Sequence, residues 1–122
     1  APILKDFFDI EIIEKHHRLK EDAPSGTAKL FADTINETLH YDFVHGREGS
    51  SKRKDKEIGV HAVRGGSIVG EHEVIFAGQD EVISVKHEAF SKKIFANGAL
   101  NGAKWLVNKE PGIYDMEAVL FE

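Results

Sequence analysis

The joint between Asp9 and Leu39 constrains the fold more than any other stretch. From Asp9 to Glu14, Ile10 and Ile12 alternate with Asp9 and Glu11, and Ile13 adds β-branched content, so a strand is predicted. The same period of two carries Glu14 and His16 onto the Ile10/Ile12 side. His16 then lies where the strand leaves the sheet, a frequent address for chemistry in α/β architectures. Pro24-Ser25-Gly26-Thr27 breaks the alternation and offers N-cap residues. From Ala28 to about Leu39, the apolar residues Ala28, Phe31, Ile35 and Leu39 share one helical face.

The link between strand and helix reads H-H-R-L-K-E-D-A-P-S-G-T-A, His16 to Ala28. Two imidazoles, a guanidinium and an ammonium precede a helix N-terminus. That grouping suits a small anion carrying carboxylates or phosphates. A histidine also gains or loses a proton near neutral pH, so the segment can both hold an acidic ligand and move a proton on it. Lys20 also reads as a plain surface lysine. Ser25-Gly26-Thr27 also reads as a simple cap, because capping and anion binding use the same backbone N–H groups. No H-E-x-x-H occurs and no third ligand has recognisable spacing, so no metal site is expected.

Residues 40–56 form the least regular part. Gly46, Gly49, Ser50 and Ser51 loosen it, Lys52-Arg53-Lys54 charge it, and Asp55 and Glu57 partly compensate. A long, solvated loop of about 15 residues is expected there. Three strands follow: one through Ile58, Val60 and Ala62, one from Ile68 to Ala77, and one from Val82 to His87. The turns Gly65-Gly66 and Gly78-Gln79-Asp80 separate them, and their close spacing predicts antiparallel hairpins or a meander. Arg64 and the Gly70-Glu71-His72 triplet read as polar ends of a hairpin, and His61, His72 and His87 as structural strand residues. A last long helix is expected from about Lys92 to Asn108, ended by Pro111-Gly112, with a short apolar stretch around Met116 to Phe121. The order gives an α+β fold, a mixed sheet of about four strands covered by two main helices, with a long loop.

At 122 residues, 41% of them hydrophobic, the chain is long enough for one domain with its own core. Its net charge of −5 argues against general nucleic-acid binding. The lack of cysteine excludes disulfide scaffolds, thiolate nucleophiles and Cys-rich zinc sites, and fits a cytoplasmic location. No apolar run approaches the roughly 20 residues of a membrane span, so no membrane partner is expected. The chain opens at Ala1-Pro2 without methionine, as a processed chain or a piece of a longer protein would. It contains neither G-x-G-x-x-G nor G-x-x-x-x-G-K-[ST], so no dinucleotide or triphosphate loop is recognisable.

Glu14 to Ala28, E-K-H-H-R-L-K-E-D-A-P-S-G-T-A, resembles the signature of the dihydrodipicolinate reductase (4-hydroxy-tetrahydrodipicolinate reductase) family, E-x-H-H-x-x-K-x-D-A-P-S-G-T-A. Three more blocks agree: E-I-G-V-H-A-V-R-G-G-S-I-V-G-E-H from Glu57, F-A-N-G-A-L from Phe95 and G-I-Y-D-M from Gly112. The likeness covers nearly the whole chain. One departure is Ser91-Lys92, where the family commonly has Ser-Arg; lysine keeps the charge but loses the bidentate fork.

The resemblance implies the C-terminal, substrate-binding and tetramerisation domain of a two-domain enzyme, of the glyceraldehyde-3-phosphate dehydrogenase-like C-terminal kind, spanning 1–122. It implies that the N-terminal nucleotide-binding domain, which takes NADPH or NADH, is not in this chain. The tail from Ile113 would return toward that domain. The implied reaction is hydride transfer to a cyclic, unsaturated dicarboxylate in lysine and diaminopimelate synthesis, with no turnover expected from this piece alone. By motif position the catalytic pair is His16, corresponding to the acid/base that protonates the substrate carbon, and Lys20, corresponding to the assisting cation and an alternative proton donor. His17, Ser25, Gly26 and Thr27 correspond to substrate-carboxylate contacts. Two rival readings are a non-catalytic assembly module, with residues 40–56 making subunit contacts, and a stand-alone acid/base enzyme such as an isomerase using His16.

Overall fold

A computed structural model describes residue 4 and residues 6–121. The Ala1-Pro2 start and the final Glu122 lie outside the described residues. The chain divides into two compact units, Ala1–Phe90 and Ser91–Glu122.

In the first unit, β1 (Asp9–His16), α1 (Gly26–Asn36), β2 (Asp42–His45), β3 (Glu57–Arg64), β4 (Gly70–Gly78) and β5 (Glu81–Ala89) follow in order. The sheet is five-stranded with order β2-β3-β1-β4-β5. β1 runs parallel to β3, which runs parallel to β2, while β1–β4 and β4–β5 are antiparallel. The α+β mixed sheet is therefore as expected, with one more strand. That extra strand, β2, lies inside the stretch expected to be an unbroken loop. Its four residues, ending at His45 just before Gly46, are too few to show a period.

The expected meander is corrected. Only β4–β5 is a hairpin; β3 and β4 each pair with β1 between them. Bridging β1 spans two strand spacings, about 10 Å, which residues 65–69 can cover. This crossing ties down the end of β1. Gly65 N donates to His16 O at 3.1 Å and Arg18 N to Gly66 O at 3.1 Å. Gly66 holds φ +48°, a conformation that favours glycine.

β1 is buried on alternate residues, Ile10, Ile12 and Glu14. The two isoleucines pack with Ile58, Val60, Val74 and the α1 residues Ala28 and Ala32, flanked by Ile35, Leu39, Tyr41 and Phe76. α1 begins two residues earlier than the apolar face suggested, because Ser25 caps it: Ala28 N donates to Ser25 Oγ at 3.2 Å. Asn36 ties its far end to Tyr41, donating Nδ2 to the carbonyl at 2.9 Å and accepting from the amide at 2.7 Å.

The reading of Lys52-Arg53-Lys54 as wholly solvated is corrected at its middle residue. Lys52 and Lys54 are exposed, but Arg53 is half-buried against β1. Its Nη2 donates to Ile10 O at 3.0 Å and Glu57 O at 2.8 Å, and its Nη1 to Asp9 Oδ1 at 3.0 Å. A planar guanidinium can serve carbonyls and a carboxylate at once, which an ammonium cannot do in one geometry. Arg47 adds a second tie, with Nη1 on Glu57 Oε1 and Nη2 on Glu11 Oε1, both at 2.9 Å.

The second unit contains α2 (Lys93–Leu106) and α3 (Met116–Phe121). Trp105 meets Tyr114 edge-on at 5.2 Å, and Lys109 Nζ stands 4.4 Å from the Trp105 ring centre. Lys92 sits at the α2 N-cap and makes no side-chain capping bond.

Candidate functional site

Glu14 organises the end of β1. An acid in the alternation after Ile10 and Ile12 is carried into the core, and its side chain is fully buried. Such a carboxylate needs partners, and four nitrogens of three residues supply them. Oε1 accepts from Arg64 Nη2 at 2.8 Å and from Ser25 N at 3.3 Å. Oε2 accepts from Arg64 Nη1 at 3.0 Å and lies 2.5 Å from His16 Nδ1. Arg64, at the end of β3, is thus a bidentate clamp, and its Nη2 also donates to Asp22 O at 2.8 Å.

His72, on β4, completes the cluster. Its ring meets His16 edge-on at 5.2 Å, and its Nε2 lies 3.0 Å from Ser25 Oγ. Burial opposes ionisation of Glu14, but the bonds from Arg64 and His16 prevail and hold the carboxyl below its usual range. Burial, reinforced by the His16 imidazole beside it, pushes His72 below the ordinary imidazole value. A neutral His72 shares one hydrogen bond with the Ser25 hydroxyl.

Both groups bind protons less readily when folded than when unfolded, so unfolding takes up protons and stability falls on acidification. The His72 contribution is lost first, below the ordinary histidine range. The Glu14 contribution is lost as pH drops below the usual carboxylate range. Thermal melts taken from about pH 7 down to about pH 4 should give a steadily falling Tm. A Tm that rose over that interval would contradict the buried arrangement.

Of the residues singled out from sequence, His16, His17, Lys20, Ser25, Gly26 and Thr27 all fall on the β1–α1 link or its two ends. His17 and Lys20 share a turn, with Lys20 N donating to His17 O at 3.2 Å. Lys20 Nζ pairs with Asp22 Oδ1 at 2.9 Å. Ser25 is buried and its groups are engaged within the fold: N–H on Glu14, Oγ on Ala28 and His72. Gly26 and Thr27 are exposed at the start of α1, where the first helix amides lack intrahelical partners. Sequence reasoning missed Glu14, Arg64 and His72 as members of this cluster. The signal for Glu14 was available: an acid at a buried strand position demands a cation.

Glu14, His16 and His72 could each offer one ligand atom to a metal, all within 4.8 Å of one another. Both Glu14 oxygens, however, are already neutralised by Arg64, which disfavours a cation there. The link from β1 to α1 carries imidazoles and a lysine at positions where a dinucleotide loop would carry glycines.

A family model described as "Dihydrodipicolinate reductase, C-terminus" matches residues 1–120. The chain belongs to the dihydrodipicolinate reductase family. The 4-hydroxy-tetrahydrodipicolinate reductase of Clostridium botulinum (strain Eklund 17B / Type B) is 55% identical, over 98% of this chain and 49% of its own length. That of Methanococcoides burtonii is 58% identical over 93% of this chain and 43% of its own. A solved structure, a dipicolinate-bound dihydrodipicolinate reductase from Paenisporosarcina sp. TG-14, matches with TM-score 0.69 and 27% identity. That match covers 96% of this chain and 46% of the other. The chain spans about half the length of the curated relatives it matches. The reductase-family assignment agrees with the signature read from Glu14 to Ala28.

Proposed function

We propose that residues 1–122 are the substrate-binding and tetramerisation domain of an NAD(P)H-dependent 4-hydroxy-tetrahydrodipicolinate reductase of lysine and diaminopimelate synthesis. The substrate is a cyclic dicarboxylate. The observation that carries the reading is the carboxylate-backed His16 at the mouth of a link that also bears His17, Lys20 and the exposed start of α1. Reduced nicotinamide supplies the hydride and is held by a nucleotide-binding domain outside these residues, so this chain alone is expected not to turn over. Here the grip comes from Lys20, His17 and the Gly26 and Thr27 amides, which match carboxylate oxygens. Ser25 contributes by fixing the start of α1. His16 delivers a proton from Nε2 to the substrate carbon, as a general acid with its ring already oriented. A cytoplasmic location fits; no helix among the described residues is long and apolar enough to cross a membrane.

The test is calorimetric titration of pyridine-2,6-dicarboxylate into the chain. His17→Ala and Lys20→Ala should each weaken binding by about tenfold or more, roughly 1.4 kcal/mol. Unchanged affinity in both variants would overturn the site assignment.

One feature favours an assembly role alongside this. β5 is an edge strand on which Val82, Ile83 and Val85 are exposed, and an uncovered apolar edge invites pairing with another copy. Light scattering at micromolar concentration should give a tetramer, and a clean monomer would remove autonomous assembly from the proposal.

A further inference from the structure

Two neighbouring histidines in one site raise the question of what makes them different. The answer lies in what faces each Nδ1. His16 Nδ1 meets a Glu14 oxygen. An ionised carboxylate only accepts, so Nδ1 must carry the hydrogen. His17 Nδ1 meets the backbone amide of Leu19, with N to Nδ1 at 3.2 Å. An amide only donates, so this Nδ1 must present its lone pair.

We infer that the fold holds the two adjacent imidazoles in opposite tautomers, His16 as Nδ1–H and His17 as Nε2–H. The tautomers themselves follow from these two contacts; their functional meaning rests on the proposal that His16 moves a proton and His17 grips a carboxylate. The difference explains how one dipeptide does both. The neutral His16 offers a bare Nε2 that can take up a proton and hand it on, whereas the neutral His17 offers a fixed Nε2–H to an anionic oxygen.

Glu14 is then the positioning residue. Arg64, through both terminal nitrogens, and Ser25 N hold its carboxylate. The His16 ring is boxed on its other sides by the edge-on His72 ring and by Gly70. A Cβ on Gly70 would stand 3.3 Å from His16 Nε2, so the missing side chain leaves room at the working nitrogen. Among the described residues, no group hydrogen-bonds to His16 Nε2 or His17 Nε2.

The experiment is long-range proton–nitrogen NMR of the imidazoles in the 122-residue chain, at about pH 8.5, where ordinary imidazoles are neutral. His16 should show the Nδ1–H pattern and His17 the Nε2–H pattern. The same tautomer in both overturns the inference, and this spectrum needs no variant. In Glu14→Gln, His16 should shift toward the Nε2–H form while His17 keeps its pattern. A role for Glu14 in packing alone would move neither or both, and either result overturns the positioning role. Pyridine-2,6-dicarboxylate is then added. A shift of the His17 Nε2 signal without a change of tautomer supports the grip. Opposite tautomers with no response to the ligand would leave this inference standing and count against the substrate reading instead.

Discussion

Glu14→Ala is expected to lower stability by about 3–5 kcal/mol, the usual result of removing one partner of a buried ion pair. That is a large part of the total for a domain of this size. The loss has two sources. Arg64 keeps its charge with only carbonyl partners, and the Ser25 amide that accompanies the α1 cap loses its acceptor. Urea unfolding of the variant gives the number directly. The contrast that isolates the cause is a double variant, Glu14→Met with Arg64→Met, which removes both charges and should recover much of the loss. A single-variant loss under about 1 kcal/mol would mean that Arg64 finds water as easily as it found Glu14.

The second large effect is expected at Gly59→Ala, on the opposite face of the same strands. Glu11 folds its carboxylate flat over Gly59, taking that residue's N–H at 2.7 Å, and a Cβ there would land on the carboxylate. Glu11 must swing away. It then loses Arg47 at 2.9 Å, His61 at 3.1 Å and Arg53 at 3.3 Å. A buried amide without its acceptor and a dispersed network should together cost about 2–4 kcal/mol. Hydrogen exchange should localise the damage, with protection lost around Arg47 and Arg53 and kept in β4. If the mechanism is as described, Gly59→Ala adds little to a chain already carrying Glu11→Ala. Full additivity of the two would point to backbone distortion rather than to displacement of the carboxylate.

The local features of this fold were legible and the non-local ones were not. The alternation from Ile10 to His16 defined β1 and its buried face. Ser25 announced the start of α1, and Pro111-Gly112 bounded the last long helix. The position of β1 between β3 and β4 left no trace in the chain, because strand pairing is decided between segments far apart. A short glycine turn reads the same whether its strands pair with each other or straddle a third. The candidate site divides the same way. The imidazoles, Lys20 and the capping turn are contiguous and could be found by reading along. Arg64 and His72 come from other strands, and only pairing registers such as His16 with Arg64 and Glu14 with His72 bring them in.

The central place of β1 also sets an order of events during synthesis. Of the five strands of this sheet it is made first, yet its parallel neighbour lies 48 residues further on and its antiparallel neighbour later still. One edge cannot close until β3 has left the ribosome, and the other until β4 has. Pairings this distant are slow, and an unpaired apolar strand is exposed in the meantime. The charged residues on β1, Asp9, Glu11, Glu14 and Lys15, are of the kind that discourages a bare strand from pairing with a copy of itself.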